Sequence, residues 1–306
     1  MELAEITAGQ VAILFILILS GFASVKAGVI KQEAKKHFSD LLINLIIPAM
    51  IINSYTSGFD ENVLSNLIRE FVLSTVLVSL GIAVSLLLAC RFKDKNAPIV
   101  RFACSFSNAA YMGFPLIEAL FGSEGLIYAG AFVTVYNILL WTVGYATVNK
   151  KADVKEMLHS IATTPVLIFV VIGLIIYILR IDVPNVIKQP ISYIGSMNTS
   201  LSMIVTGMLI AGSKPERLLG NKFIPFAVCV RLILVPLVCL GLFKALNITG
   251  ETAQIAIMLE SCPCAAITSV FAVRFDYDED IAAGLVVVTT LLSIITLPIM
   301  AYLITA

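Results

Sequence analysis

The 306-residue chain is 59% hydrophobic and only 13% charged, with a mean hydropathy of +0.99. Soluble domains are nearer half apolar and a quarter charged, so the composition excludes a soluble globular class. Twenty basic residues balance twenty acidic ones, which removes the electrostatic footprint of a nucleic-acid partner.

Glu2 and Glu5 precede the first apolar run with no basic residue among them, so a retained span is expected there rather than a cleaved signal. A bilayer core of ~30 Å takes about 20 apolar residues in a helix. On that template the chain reads as an all-α membrane protein of ten transmembrane helices, at 10–28, 38–57, 67–90, 97–121, 125–148, 163–181, 187–212, 222–246, 252–274 and 281–304. The loops between them are short, so residues 1–306 form a single transmembrane domain. The longest loop, 149–162, is charged and is expected to be a surface helix or linker.

Basic loops stay in the cytoplasm. The loops after spans 1, 3, 5, 7 and 9 carry Lys26, Lys31, Lys35, Lys36, Arg91, Lys93, Lys95, Arg101, Lys150, Lys151, Lys155, Lys214, Arg217, Lys222 and Arg274. The opposite set holds only Arg69, Arg180, Lys188 and Lys244. The alternation predicts both termini outside an inner (plasma) membrane.

Cutting at 149–162 leaves repeat one at 1–148 and repeat two at 163–306, with five spans each. An odd number per half inverts one half relative to the other, an arrangement of many carriers. Span 4 contains Ser107-Asn-Ala-Ala-Tyr-Met-Gly-Phe-Pro115, in which Gly113 and Pro115 weaken a helix and Ser107 and Asn108 add polar side chains. Span 9 contains Glu260-Ser-Cys-Pro-Cys-Ala-Ala-Ile-Thr, with a second break at Pro263. Each break sits about 11 residues into its span, or ~16 Å at 1.5 Å per residue. Broken helices 4 and 9 are therefore expected to cross at the midplane. A lone proline in a membrane helix is otherwise only a kink, and Pro48, Pro236 and Pro298 are of that type.

Arg231 and Glu260 are the two charges placed deepest. Intramembrane charges pair and mark function, so the two form either a structural lock or a site in which Glu260 binds a coupling ion, Na+ or H+, with Ser107 and Arg231 beside it. Asn108, Tyr111, Pro115, Asn137, Asn198, Ser261 and Pro263 are the candidate substrate-binding residues. Glu118 reads as interfacial, and Asn44 and Asn53 as interhelical hydrogen-bond glue. Cys90, Cys104, Cys229, Cys239, Cys262 and Cys264 lie in or beside apolar segments and read as packing residues. His37 and His159 fall in charged loops, and the Asp276–Asp280 cluster reads as a solvated loop. No metal site, cofactor or enzymatic constellation is expected.

Ser107-Asn-Ala-Ala-Tyr-Met-Gly-Phe-Pro-Leu-Ile-Glu-Ala-Leu-Phe-Gly122 resembles the fourth-span signature of the auxin efflux carrier family of permeases. Arg231-Leu-Ile-Leu-Val-Pro236 is similar to that family's eighth span, and Ala282 through Pro298 to its last. The resemblance implies ten helices with helices 4 and 9 crossed, a scaffold of spans 1, 2, 6 and 7, a moving core of spans 3–5 and 8–10, and a homodimer in membrane lipid. It also implies a small organic anion as substrate, such as malate, malonate or an auxin-like carboxylate, moved by alternating access. Span 7 departs from the pattern, offering Asn198-Thr199-Ser200 where a proline is expected. The position of Glu260 is similar to a sodium-binding acidic residue of sodium–bile acid symporters, which keeps sodium-coupled uptake of a bile-acid-like anion as an alternative. A membrane sensor that binds its ligand without flux is a third reading.

Overall fold

The computed structural model describes residues 2–56, 61–149, 153–212 and 221–305. Lys150, Lys151, Lys214 and Arg217, the start of the 149–162 linker and residue 57 at the end of the second expected span lie outside the described residues. Helices account for almost all of the rest, and no β-strand occurs among the described residues.

In chain order the helices are α1 (Glu2–Lys26), α2 (Ala34–Tyr55), α3 (Glu61–Ala89), α4 (Ala97–Ser105), α5 (Ala109–Val148), α6 (Val154–Thr163), α7 (Pro165–Ile178), α8 (Asn185–Ala211), α9 (Phe223–Ala245), α10 (Glu251–Glu260), α11 (Ile267–Arg274) and α12 (Glu279–Thr305). Seven of these, α1, α2, α3, α5, α8, α9 and α12, are long and apolar enough to cross a membrane. The pair α6–α7, bent by 52°, makes an eighth if counted as one span. Leu19, Ile68, Val72, Leu87, Val171 and Ile295 are exposed apolar side chains on these helices, as expected of faces turned to lipid. The protein is thus a multi-pass integral membrane protein.

The bend between α6 and α7 follows from Pro165 at the first helical position, which forces Thr164 into an extended conformation (φ −66°, ψ 116°). The side chain of Asp153 caps α6 by accepting the Lys155 N–H at 2.9 Å. The 40 residues of α5 are two helices joined at a kink, because Gly122 has φ 64° and ψ −154°. Only glycine adopts that region at low cost, and residue 122 falls between the fourth and fifth expected spans.

Helix α3 begins at Glu61, six residues before the span boundary at 67 read from the sequence. α5 and α10 pack against α3; Tyr128 of α5 hydrogen-bonds Asn66, and Arg69 donates to the Thr249 carbonyl just before α10. Besides the members of the α6–α7 pair, three helices are short: α4, α10 and α11 have nine, ten and eight residues, too few to cross a ~30 Å core alone. Aromatic rings fill the space around two of them. Phe102 of α4 lies 5.0 Å from Phe271 of α11 (centroid to centroid), and Trp141 of α5 lies 5.5 Å from Phe271.

Gly122→Ala should destabilise the protein by ~1–3 kcal/mol, seen as a lower thermal midpoint in detergent. Gly241→Ala, in a helix with open space at its Cβ position, should be neutral or slightly stabilising. Equal midpoints for the two variants would contradict the Gly122 kink.

Candidate functional site at the meeting of two helix breaks

Helix α4 ends at Ser105, and Phe106 continues in an extended conformation (φ −117°, ψ 126°). The chain re-enters a helix only at Ala109, through a wide π-helical turn to Gly113. The break at 106–108 lies at the depth expected for Asn108, but upstream of Gly113 and Pro115, the helix-weakening residues of that stretch. Its cause is tertiary. The Asn108 N–H donates to the Pro263 carbonyl at 2.7 Å, and the Ala265 N–H donates to the Phe106 carbonyl at 2.9 Å. Ser107 and Cys264 form an isolated antiparallel bridge. The two interrupted segments thus satisfy each other's backbone where the helical ladders stop. Pro115 instead occupies the second position of the regular helix that restarts at Phe114, where a missing N–H costs little. Pro263 has no N–H to return to Leu259, which ends α10.

Four side chains of the expected site converge here. Ser107 is 1% exposed, Asn108 3%, Ser261 1% and Glu260 1%. Ser261 spends its hydroxyl on the Ile257 carbonyl of its own helix at 2.6 Å. Ser107 Oγ and Asn108 Nδ2 have no hydrogen-bond partner. Buried polar groups of that kind are rare and call for an explanation.

Arg231, fully buried in a π-helical stretch of α9 (Val228–Leu234), organises the other side of the breaks. Its Nη1 donates to Glu260 Oε1 at 3.0 Å, and to the Cys104 and Ser105 carbonyls at 3.4 Å each. Its Nε donates to the Cys262 carbonyl at 3.2 Å, and its Nη2 to the Glu260 carbonyl. One guanidinium therefore caps the C-terminal ends of both α4 and α10. Those ends carry the negative pole of each helix dipole, and a planar fork of five donors suits several carbonyls at once. Glu260 packs against Gly81 of α3: a Cβ there would lie 2.5 Å from Glu260 Oε1. In this conformation the Glu260 carboxylate is half of a buried ion pair, the lock that the sequence left open beside an ion site.

The remaining expected residues are placed differently. Asn198 of α8 is fully buried with neither amide atom partnered, and α8 packs on the 109–113 turn. Its neighbour Thr199 donates to Glu118 Oε2 at 3.3 Å, so Glu118 is half-buried against α8. Asn137 is partly buried and returns its amide to the Val133 carbonyl of its own helix at 2.8 Å. Tyr111 is half-buried, with its phenol hydrogen-bonded to Ser39 of α2. Neither is brought to the breaks by a hydrogen bond of its side chain.

Three threonines were not singled out from the sequence. Thr289 accepts the Cys264 N–H at 3.1 Å. Thr268, second in α11, and Thr290 of α12 are fully buried, with hydroxyls lacking a partner. The adjacent pair Thr289-Thr290 in an otherwise apolar span was the available signal.

A chain with paired broken helices, a buried arginine clamp and orphaned donors between them is built as carriers are built. Residues 6–301 match the family described as membrane transport protein. The chain belongs to this family. It is 26% identical over 96% of its length to an uncharacterized transporter of Methanocaldococcus jannaschii, covering 97% of that protein. It is 21% identical to the uncharacterized transporter YfdV of Escherichia coli, over 96% of each chain. It is 24% identical over 99% of its length to a putative malonate transporter of Rhizobium meliloti, covering 97% of that protein. The auxin efflux carrier-like resemblance therefore extends over the whole chain, and these three relatives carry transporter names.

Arg231→Met leaves Glu260 and the ends of α4 and α10 without their cation, and should cost ~3–5 kcal/mol of stability. Adding Glu260→Gln to Arg231→Met should recover part of that loss, which a double-mutant cycle of unfolding midpoints would reveal. Simple additivity of the two substitutions would mean that the ion pair does not couple the helices.

Proposed function

We propose that this permease is a secondary or facilitative transporter of a small organic anion, a mono- or dicarboxylate, working by alternating access. The observation that carries the reading is the pair of unpartnered donors, Ser107 Oγ and Asn108 Nδ2, at the point where the two breaks join. Because Arg231 occupies the C-terminal ends of α4 and α10, the helix ends left facing the breaks are the N-terminal starts of α5 and α11. N-terminal ends favour anions. The hydroxyls of Thr268 and Thr290 add donor capacity at the start of α11 and on α12. The malonate-transporter relative is consistent with a carboxylate of this size.

In this reading the chain crosses the membrane ten times. α4 with the first part of α5 forms one interrupted crossing, the rest of α5 another, and α10 with α11 the second interrupted one. Five crossings in each half give an inverted repeat. The alternation of basic residues along the chain puts both termini outside an inner (plasma) membrane. Spans 3–5 and 8–10 move as a core against a scaffold of spans 1, 2, 6 and 7. Asn198, in a scaffold helix packed on the 109–113 turn, contributes to the substrate site from the scaffold side.

Losing a hydrogen bond to a charged ligand costs ~1.5–3 kcal/mol. Asn108→Ala should therefore lower uptake of labelled malonate into proteoliposomes by about 10–100-fold, with the unfolding midpoint changed little. Asn198→Leu should also impair uptake while raising the midpoint, because it removes two unpartnered buried atoms. Wild-type uptake in both variants would place the substrate elsewhere.

A further inference from the structure

Glu70 lies nine residues into α3, is 0% exposed, and takes no part in the arginine clamp. Its Oε1 accepts the Ser74 hydroxyl at 3.0 Å, one turn further along, and its Oε2 has no partner. α10 packs along α3 in parallel: Arg69 Nη2 donates to the Thr249 carbonyl at 2.5 Å, and Gly81 abuts Glu260 further on. Glu70 is thus level with the start of α10, where Thr252 is 2% exposed and also has an unpartnered hydroxyl. Eleven residues of α3 separate it from Gly81, or ~16 Å.

The charged and titratable groups on every helix packed against α3 are committed elsewhere or exposed. On α3 itself, Arg69 is turned to Thr249. α10 offers Glu251, exposed. α5 offers Glu124, exposed, which accepts the buried Tyr128 hydroxyl at 2.7 Å, and Glu118, which accepts the Thr199 hydroxyl at 3.3 Å. α9 offers Lys244, exposed, and Arg231, held by Glu260. α4 offers Arg101, bonded to the Ala89 and Phe92 carbonyls. No ion pair to Glu70 exists among the described residues. A carboxylate stripped of water and given one hydrogen bond is costly by several kcal/mol. A neutral carboxyl avoids that cost and turns Oε2 into a donor.

We propose that Glu70 holds a proton on Oε2 in this conformation, and that release of this proton to water and its recapture couple organic-anion flux to a proton gradient. The coupling rests on the carrier reading above; the protonation does not. The step is a simple acid–base exchange: the carboxyl O–H breaks to carboxylate and a solvated proton, one per cycle, with no other reactant.

Two measurements test it. Wild-type protein in detergent near neutral pH should show the infrared carbonyl stretch of a protonated carboxyl, shifted in D2O and absent from Glu70→Gln. In proteoliposomes, an imposed pH gradient should concentrate malonate with the wild type. Glu70→Gln, which mimics the neutral form, should retain malonate counterflow within about twofold but lose gradient-driven accumulation. Absence of the band, or undiminished gradient-driven accumulation by Glu70→Gln, overturns the inference. A wild type that moves no carboxylate at all overturns the carrier reading and with it the coupling, while the infrared band still decides the protonation.

Discussion

The contact on which the rest of this structure depends is the grip of Arg231 on the C-terminal ends of two broken helices. A helix stopped inside a membrane leaves carbonyls that neither lipid nor water can satisfy. Here the guanidinium reaches the Cys104, Ser105, Glu260 and Cys262 carbonyls, and the Glu260 carboxylate balances its charge. At the end of α4 the Ser85 hydroxyl adds a second donor to the Cys104 carbonyl, at 2.8 Å. The interaction also has a polarity. By covering the negative ends it leaves the positive starts of the following helices as the field at the breaks, and this asymmetry favours an anionic ligand.

The backbone around the clamp is correspondingly irregular. Arg231 sits in a π-helical stretch of α9, and a second wide turn, at 109–113, starts the helix after Asn108. Wide turns of this kind often mark functional places in helices. The extended segments between the half-helices pair with each other through Asn108, Pro263, Phe106 and Ala265. The backbone is thus satisfied without the side chains of Ser107 and Asn108, whose Oγ and Nδ2 are left unpartnered at nearly complete burial.

Much of this was legible from residue types. Apolar runs of membrane length, the unusual depth of Arg231 and Glu260, and a proline in the middle of the ninth apolar run all point to an interrupted membrane protein with a polar centre. The cause of the first break was read less well than its depth. Gly113 and Pro115 are the local helix breakers, but the helix stops upstream, because the competing hydrogen bonds come from residues 155 and 159 positions later in the chain (Pro263 to Asn108 and Ala265 to Phe106). Asn137 was a further candidate for the cavity, yet its amide is absorbed by its own helix. Glu70 was not singled out from the sequence, since a charge near a span boundary is ordinarily solvated; the structure buries it completely.

By itself, the sequence determined that this is a helical membrane protein, that its family is that of membrane transport proteins, and that polar chemistry lies within two interrupted apolar segments. These follow from composition, run length and local residue chemistry, which need no knowledge of neighbours. Only the tertiary structure decided which polar groups are paired and which are left over. A buried amide, hydroxyl or carboxylate acquires its role from what other helices bring within ~3 Å of it. For Arg231 and Glu260 the neighbours supply partners; for Ser107, Asn108, Asn198 and Glu70 they exclude water without fully replacing it.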